Sequence, residues 1–258
     1  MDMRSLSVTM HTTVKKVLMS SALFPLYIFG LSNQEIVDLA NEEFSSTMPG
    51  IEKLIATGPY NRGSSFELEA ALVLSQNDEA VRGLDLEITF DKKTAHIAID
   101  DHEALLNATE FDIITDNLAV ECKSGTTIDG RCYAQLLKEQ TMLAWMHALA
   151  EEINNGTLSL HVKRHTHALT FFELKGQATR NKPLCMAMSW IHGIDENECL
   201  AQLIDTIQLL ATKKLIALFR ATIPETFGLK LKDHGIDFVD DIKLEPKAHK
   251  FDQAMDIC

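Results

Sequence analysis

The sequence predicts an α/β fold, with a central mixed sheet flanked by helices in the order α-β-β-β-α-β. Its 258 residues, 46% of them hydrophobic and 24% charged, are enough to bury one sizeable core. Segments with the two-residue period of strands alternate along the chain with segments of helical period. We therefore divide the chain into an N-terminal helical extension, residues 1–58, and an α/β domain, residues 59–258.

The extension and the start of the domain carry helix signals. Ser32-x-x-Glu35 is a capping box that opens an amphipathic helix, and Met48-Pro49-Gly50 closes it. A Gly58-Pro59 turn follows, and the Leu- and Ala-rich segment 66–74 then predicts a short second helix. We expect the first of these helices to have a packing role.

The remaining segments alternate between strand and helix patterns. Apolar or alternating runs predict a meander of four strands at 84–90, 94–99, 110–115 and 118–124. A long helix from about 131 to 153 follows the meander. Further strands are predicted at 158–167, 168–174, 184–191, 215–223 and 236–239, with helices after Asp195 and Pro224.

An apolar stretch of 15 residues, Val17–Leu31, follows Lys15 and Lys16. It is too short to span a bilayer, so we expect no membrane span. It is either a packed element of the extension or a targeting peptide. The five cysteines form no C-x-x-C pair, which favours a reducing compartment. We therefore expect a cytoplasmic protein, with export or an organelle as the alternative if residues 1–31 are a targeting peptide.

The charge balance limits how the chain can bind nucleic acid. A net charge of −13 has the wrong sign for binding by bulk electrostatics, so any contact must be local. Between His161 and Lys182 there are five basic residues and one acid. This segment is a candidate phosphate contact, with Phe171 or Phe172 as stacking groups, and a solvated hairpin is the alternative.

Acid-x-Lys tripeptides offer a carboxylate and an ammonium to one site. The sequence has five of them, so the tripeptide alone selects nothing; they begin at Asp91, Glu121, Glu173, Asp241 and Glu245. Only the one at Glu121 closes a hairpin, in which Asp116-Asn117 forms the turn. We therefore select Glu121-Cys122-Lys123 as the candidate.

The register of this hairpin follows from its turn. A two-residue turn pairs Thr115 with Leu118, which places Asp112 opposite Glu121 and Glu110 opposite Lys123. Period-two alternation then divides the hairpin into two faces. We expect a functional face of Asp112, Ile114, Ala119, Glu121 and Lys123, and a core face of Phe111, Ile113, Leu118, Val120 and Cys122.

Two opposed carboxylates on an apolar hairpin repel each other unless a proton or a cation lies between them. Mg²⁺ fits, because it prefers oxygen ligands and is usually held by one or two carboxylates together with substrate phosphate. Asp112 and Glu121 are the carboxylates, and the backbone carbonyl of Cys122 could add a ligand. Lys123 could hold a phosphate oxygen or orient the attacking water.

These residues resemble a known signature. Asp112, eight residues, and then Glu121-Cys122-Lys123 is similar to the motif of the PD-(D/E)xK nuclease superfamily, although Phe111 stands in place of the Pro. Upstream, Gly63-x-x-x-Glu67 resembles the helix by which many members bring a further acid to the metal, and Glu69 competes with Glu67 for that role. Downstream, Gln135 resembles a helical Gln of RecB-like members, although Glu139 stands four residues later in place of a Tyr.

The resemblance implies a restriction-endonuclease-like fold and a nuclease that hydrolyses phosphodiesters with Mg²⁺ or Mn²⁺, leaving a 5′-phosphate. It implies the catalytic residues Asp112, Glu121, Lys123 and Gln135, and metal ligands from Glu67, Asp112, Glu121 and Cys122. The expected partner is nucleic acid, with DNA preferred, and a homodimer is left open. The alternative is a non-catalytic module of the same fold that binds nucleic acid or a protein.

Overall fold

A computed structural model describes residues 31–242, apart from 78, 91–94, 100–101, 107, 126–127, 167 and 194. The apolar stretch up to residue 30 lies outside this range, as do the acid-x-Lys tripeptides at Asp91 and Glu245 and the lysine of the one at Asp241. Among the described helices none is long and apolar enough to cross a bilayer.

The described residues form six helices: α1 (Asn33–Glu43), α2 (Ile51–Thr57), α3 (Arg62–Ser75), α4 (Gly130–Asn154), α5 (Glu196–Ala211) and α6 (Glu225–Asp233). The capping box of α1 is confirmed, because Ser32 and Glu35 bond each other's backbone N–H. Asp195 caps α5 by accepting from the N–H of Glu198, also as predicted. The sequence patterns did not predict α2.

The strands are β1 (Val81–Phe90), β2 (Ala95–Ile99), β3 (His102–Leu106), β4 (Ala108–Thr115), β5 (Leu118–Lys123), β6 (Ser159–His165), β7 (Thr170–Lys175), β8 (Leu184–Met188), β9 (Lys214–Phe219) and β10 (Asp237–Val239). Eight of them form one mixed sheet in the order β10-β9-β5-β4-β1-β8-β7-β6. The predicted α/β class is confirmed at this level. The sheet is larger than a simple four-stranded core.

The meander was predicted wrongly at one point. We expected the strand at 94–99 to pair within it, but β2 pairs with β3 in a separate two-stranded sheet. As a result β1 pairs directly with β4, which pairs with β5, both in antiparallel fashion. Beyond β5 the sheet becomes parallel, because β9 runs in the same direction and is reached through the long crossover containing α4.

Both faces of the sheet are covered. Helices α1, α2 and α3 pack on one face, in a core that includes Ile113, Val120 and Leu218 from the strands. Helices α4, α5 and α6 pack on the other, in a core that includes Ile114 and Ala119. The two faces predicted for the hairpin are confirmed for these four residues, since Ile114 and Ala119 lie opposite Ile113 and Val120. Ile114 and Ala119 are themselves fully buried, so the predicted functional face is also a core face next to the turn.

Phe111 was assigned to the wrong face. We predicted it beside Ile113, but it packs with Ile114 in the core under α4 and α5. The cause is in the neighbouring strand, where Asp85 takes a left-handed conformation with φ of 50°. Strict alternation fails there, so Leu84 and Leu86, which pair with Ile113 and Phe111, face opposite cores.

The chain passes very close to β1 just before α2. Pro49 accepts a hydrogen bond from the N–H of Leu84 at 2.9 Å, and a Cβ added at Gly50 would lie 1.8 Å from the Leu84 oxygen. Gly50 also has a positive φ of 81°, which glycine adopts without strain. This contact sets the position of α2 relative to the strand that carries Asp85.

We expect Gly50→Ala to destabilise the protein strongly, because the new methyl meets backbone that cannot move aside. Gly156→Ala is the matched control, since Gly156 also has positive φ but no atom within 4 Å of an added Cβ. The control should lose about 1 kcal/mol from backbone strain, and Gly50→Ala clearly more, by denaturant unfolding. Equal losses would show that the contact at Leu84 relaxes freely.

Candidate functional site

The predicted register of the β4-β5 hairpin is confirmed next to its turn. Ile114 pairs with Ala119 and Ile113 with Val120. Beyond these pairs a side-chain hydrogen bond replaces the backbone ladder, because Asp112 Oδ2 accepts from the N–H of Cys122 at 2.5 Å. The two strands thus meet through the Asp112 carboxylate at this end, where β5 continues along β9.

The direction of the Cys122 carbonyl follows from the pairing of β5 with β9. The carbonyls of Asn117 and Lys123 accept N–H groups from residues 214 and 220, so odd-numbered peptide groups of β5 point towards β9. A residue's N–H and C=O point the same way in a strand, so the Cys122 groups point towards β4. The carbonyl of Cys122 therefore points to the side of β5 on which the Asp112 carboxylate lies. This is the direction that would let both groups bind the same metal ion.

Glu121, Lys123 and Gln135 form a closed triangle of contacts. The Lys123 ammonium bonds Glu121 Oε1 and also donates to Gln135 Oε1 at 2.9 Å. The Gln135 amide donates in turn to Glu121 Oε1 at 2.8 Å. Asp129 begins α4 by capping it, which sets the helix so that Gln135 lies over the end of β5. The predicted site residues Glu121, Lys123 and Gln135 are thus together.

The choice between Glu67 and Glu69 is decided by their neighbours. Glu69 is paired with Arg220, whose Nη2 lies 2.9 Å from Glu69 Oε2. Glu67 instead lies near enough to Asp112 for its charge to raise the pKa of that carboxyl. The structure therefore brings Glu67 to the Asp112 side of the site and leaves Glu69 in a buried ion pair.

Glu139 belongs to the same cluster, although the sequence did not suggest it. It lies one helical turn beyond Gln135 and is 0% exposed, and its carboxyl is within hydrogen-bond reach of the Gln135 and Glu121 side chains. The Oε2 of Glu121, which is 2% exposed, receives no N–H donor among the described residues, and a proton shared between Glu121 and Glu139 would satisfy it. The four-residue spacing from Gln135 on one helix was the signal that could have found it.

Burial is the largest cause of the pKa shifts in this cluster. It raises the pKa of Asp112 well above its ordinary value, with help from the charges of Glu121 and Glu67. It raises the pKa of Glu121 in the same way, with help from Glu139. Burial raises the pKa of Glu67 to about 7 and that of Glu139 to about 8, although the positive charge of Lys123 lowers both values. All four groups favour a proton or a cation.

A second carboxylate pair adjoins Glu67. Lys53 lies 2.5 Å from Asp85 Oδ2 and 3.4 Å from Glu110 Oε1, and the Glu110 charge helps to raise the pKa of Glu67. Glu110, which we predicted opposite Lys123, forms its ion pair with Lys53, and the charge of Lys123 also helps to lower the pKa of Glu110. Burial raises the pKa of Asp85 to about 7. An acid between the buried residues Leu84 and Leu86 was the available sequence signal.

The basic segment from His161 to Lys182 does not offer the stacking groups that we predicted. Phe172 is fully buried and Phe171 nearly so, and the Arg164 guanidinium covers the Phe171 ring at 4.6 Å. Lys163 is paired with Glu173 at 2.8 Å. The segment lies at the β7-β6 edge of the sheet, with β8 and β1 between it and β4.

The fold and site together define an α/β protein with a buried carboxylate-lysine centre at the end of a central hairpin. Within the described ranges, no group of three or more His, Cys, Asp or Glu side chains is arranged to hold a metal ion. Comparisons with protein-family models, curated proteins and solved structures find no match to this chain.

The raised pKa of Glu139 predicts a pH-dependent stability in the absence of divalent metal. The folded state holds its proton up to about pH 8 and the unfolded state only to about 4.5, so stability falls as pH rises between these values. Glu139→Gln removes the contribution of this residue, while the other buried acids keep theirs. We expect the variant to be more stable than the parent at about pH 8, by roughly 1 kcal/mol or more.

Urea unfolding of both proteins in EDTA across this pH range measures the effect. Glu42→Gln, at an exposed position of α1, is the control and should follow the parent. A Glu139→Gln protein that loses stability with pH as steeply as the parent would mean that Glu139 is ionised throughout.

Proposed function

We propose that this protein is a divalent-metal-dependent nuclease with a restriction-endonuclease-like core, acting on nucleic acid and most readily on DNA. One observation carries the proposal: the carboxyl groups of Glu67, Asp112, Glu121 and Glu139 form one buried cluster, in which Lys123 supplies an ammonium and Lys53 adds a second positive charge at the Glu67 end. Buried negative charge without a counter-charge is costly, so the site calls for a cation.

The chain order around the site supports the proposal. Helix α3, strands β1, β4 and β5, helix α4 and strand β9 occur along the chain in the order α-β-β-β-α-β. The β2-β3 hairpin interrupts this order after β1, and β6, β7, β8 and α5 interrupt it between α4 and β9. The four strands are neighbours in the sheet, with β9 parallel to β5. The strands β10, β8, β7 and β6 extend this unit on both sides.

The residues present fit Mg²⁺ or Mn²⁺. Asp112 and Glu121 would hold the ion, with Glu67 and the Cys122 carbonyl as further oxygen ligands, and Mg²⁺ is often held by only one or two carboxylates plus substrate phosphate. The Oε2 of Glu121 receives no N–H donor among the described residues, so the ion would take the place of the proton that Glu121 can share with Glu139. When bound, the ion would act as a Lewis acid on the scissile phosphate and help to activate water.

Lys123 and Gln135 prepare the site for a developing negative charge. The Glu121 carboxylate raises the pKa of Lys123 against the lowering effect of burial, so its side chain stays an ammonium. Gln135 fixes that ammonium by accepting from it at 2.9 Å. A cation held in place before the reaction stabilises the charge that builds up on the phosphate oxygens.

We expect Asp112→Asn, Glu121→Gln and Lys123→Ala each to reduce metal-dependent cleavage by about a hundredfold or more, because each removes charge stabilisation at the reacting phosphate. The measurement is cleavage of end-labelled single-stranded and duplex DNA and RNA with Mg²⁺, Mn²⁺ or EDTA.

Glu173→Gln is the matched control for these variants. Glu173 begins another acid-x-Lys tripeptide, but it lies in β7 and is bonded to His161 and Lys163. It should keep full activity. An equal loss of activity in this variant would show that we selected the wrong acid-x-Lys tripeptide. If the parent protein cleaves none of the substrates, the non-catalytic module becomes the better interpretation.

A thermal-stability measurement tests the metal site without a substrate. In EDTA we expect Asp112→Asn to melt above the parent, since it removes one of the crowded charges while its amide oxygen can still accept from Cys122. Mg²⁺ should then raise the melting point of the parent, because an ion that binds only the folded state stabilises it by about 2.7 kcal/mol at a hundredfold excess over Kd. The variant should lose most of this gain.

Two outcomes together contradict the shared ion. They are a lower melting point of Asp112→Asn in EDTA, and no shift of either protein by Mg²⁺. In that case protons alone neutralise the carboxylate charges.

A further inference from the structure

The turn between α2 and α3 exposes a large aromatic side chain. We call residues 58–62 the Tyr60 turn. The side chain of Tyr60 is 91% exposed, and among the described residues the other exposed large hydrophobic side chain is Leu229, at 54%. A side chain of this size would gain free energy by covering its ring. The exposed ring therefore offers an apolar face that a ligand could cover.

The turn that presents Tyr60 is held by its own hydrogen bonds. The N–H groups of Tyr60 and Asn61 both donate to the carbonyl of Thr57, at 3.0 and 2.9 Å. Asn61 caps α3 by accepting from the N–H of Gly63 at 2.8 Å. A fixed backbone lowers the entropy cost of binding through the ring.

The turn adjoins the carboxylate cluster. A Cβ added at Gly63 would lie 3.8 Å from Glu67 Oε1 and 3.9 Å from the hydroxyl oxygen of Ser124, the residue after Lys123. Tyr60 precedes Gly63 by three residues, a backbone distance of at most about 10 Å. The ring is thus within reach of a nucleotide next to a phosphate bound at the cluster.

A positive charge accompanies the ring. Arg62 is exposed in the same turn, and it is close enough to Arg220 for its charge to help lower the pKa of that guanidinium. Arg220 is itself engaged by Glu69, whereas the Arg62 side chain faces solvent. An aromatic face with a neighbouring guanidinium matches the two parts of a nucleotide, the base and the phosphate.

We propose that Tyr60 stacks on an unpaired nucleobase beside the reacting phosphate while Arg62 contacts the backbone, so that the preferred substrate is single-stranded nucleic acid. This rests on the proposed function and names its substrate class. In a duplex both faces of an internal base are covered by its neighbours, and only an unpaired base can offer a free face to the ring.

Binding of a fluorescent single-stranded DNA and of the matching blunt duplex tests the preference. The measurements use Mg²⁺ and the full chain carrying Lys123→Ala, which slows cleavage by about a hundredfold or more while leaving the proposed oxygen ligands of the ion in place. Adding Tyr60→Ala should weaken single-strand binding about tenfold, as the loss of one base-aromatic stack does. Tyr60→Phe should keep the affinity, because the stacking face is retained, and Leu229→Ala, at the other exposed hydrophobic position, should have no effect.

Arg62→Gln should lower the salt dependence of single-strand binding by a log-log slope of about 0.7, the value for one lost phosphate contact. A direct readout of stacking comes from a fluorescent adenine analogue placed in the strand, whose emission falls when its ring is stacked. Emission should fall on binding to the protein with Tyr60 intact and to the Tyr60→Phe variant, and stay higher with Tyr60→Ala or Tyr60→Leu.

Equal binding of duplex and single strand, or an unchanged affinity in Tyr60→Ala, would overturn the inference. Its failure is separable from that of the proposed function. Cleavage that depends on Asp112 but not on Tyr60 leaves the nuclease and removes the stacking site. Single-strand binding that depends on Tyr60, in a protein that cleaves nothing with any metal, leaves the stacking site and removes the nuclease.

Discussion

The burial of several carboxylates around one ammonium is the constraint on which the site and its surroundings depend. Asp112 is 8% exposed and Glu121 2% exposed, and each has lost most of its hydration. The fold offsets part of this cost locally: the backbone N–H of Cys122 bonds Asp112, and Lys123 and Gln135 bond Glu121. The charge that these contacts do not balance is the reason to expect a cation.

The same contacts explain why the sheet has its shape at this point. The N–H of Cys122 donates to the Asp112 carboxylate and not to the backbone of β4, so the ladder between β4 and β5 does not continue through the site. On the other side of β4, the left-handed backbone of Asp85 accommodates a further acid that Lys53 neutralises from α2. The irregularities in the sheet thus coincide with the carboxylates, and local departures from ideal geometry often cluster where function requires them.

Sequence reasoning predicted the parts of the structure that depend on local pattern. The capping box of α1 and the turn at Asp116-Asn117 each specify geometry within a few residues, and both were confirmed next to their signals. Pairing and facing at longer range were not predictable in this way. The face of Phe111 depends on the φ angle of a residue in another strand, and the pairing of β2 with β3 is a choice of partner that alternation alone does not make.

The candidate site was predictable to the same extent. Spacing in the sequence brought Asp112, Glu121, Lys123 and Gln135 together, because a hairpin and the helix after it relate these residues by short connections. Glu139 and Asp85 were missed, since an acid in a helix or strand is usually solvated and only the packing around it shows that it is buried. The exposure of Tyr60 was missed for the opposite reason, because an aromatic residue is normally expected in the protein interior.

The net charge of −13 affects how a protein proposed to act on a polyanion can bind its substrate. A nucleic acid approaching the carboxylate cluster would be repelled by the same charges that hold the ion, so the ion is needed for association as well as for chemistry. Stacking on an exposed ring is an attraction that does not depend on charge, and one guanidinium beside it adds to that attraction without the broad basic surface that the chain lacks. An acidic protein can bind a nucleic acid in this way if its substrate presents unpaired bases, which is the class of substrate to which the Tyr60 turn points.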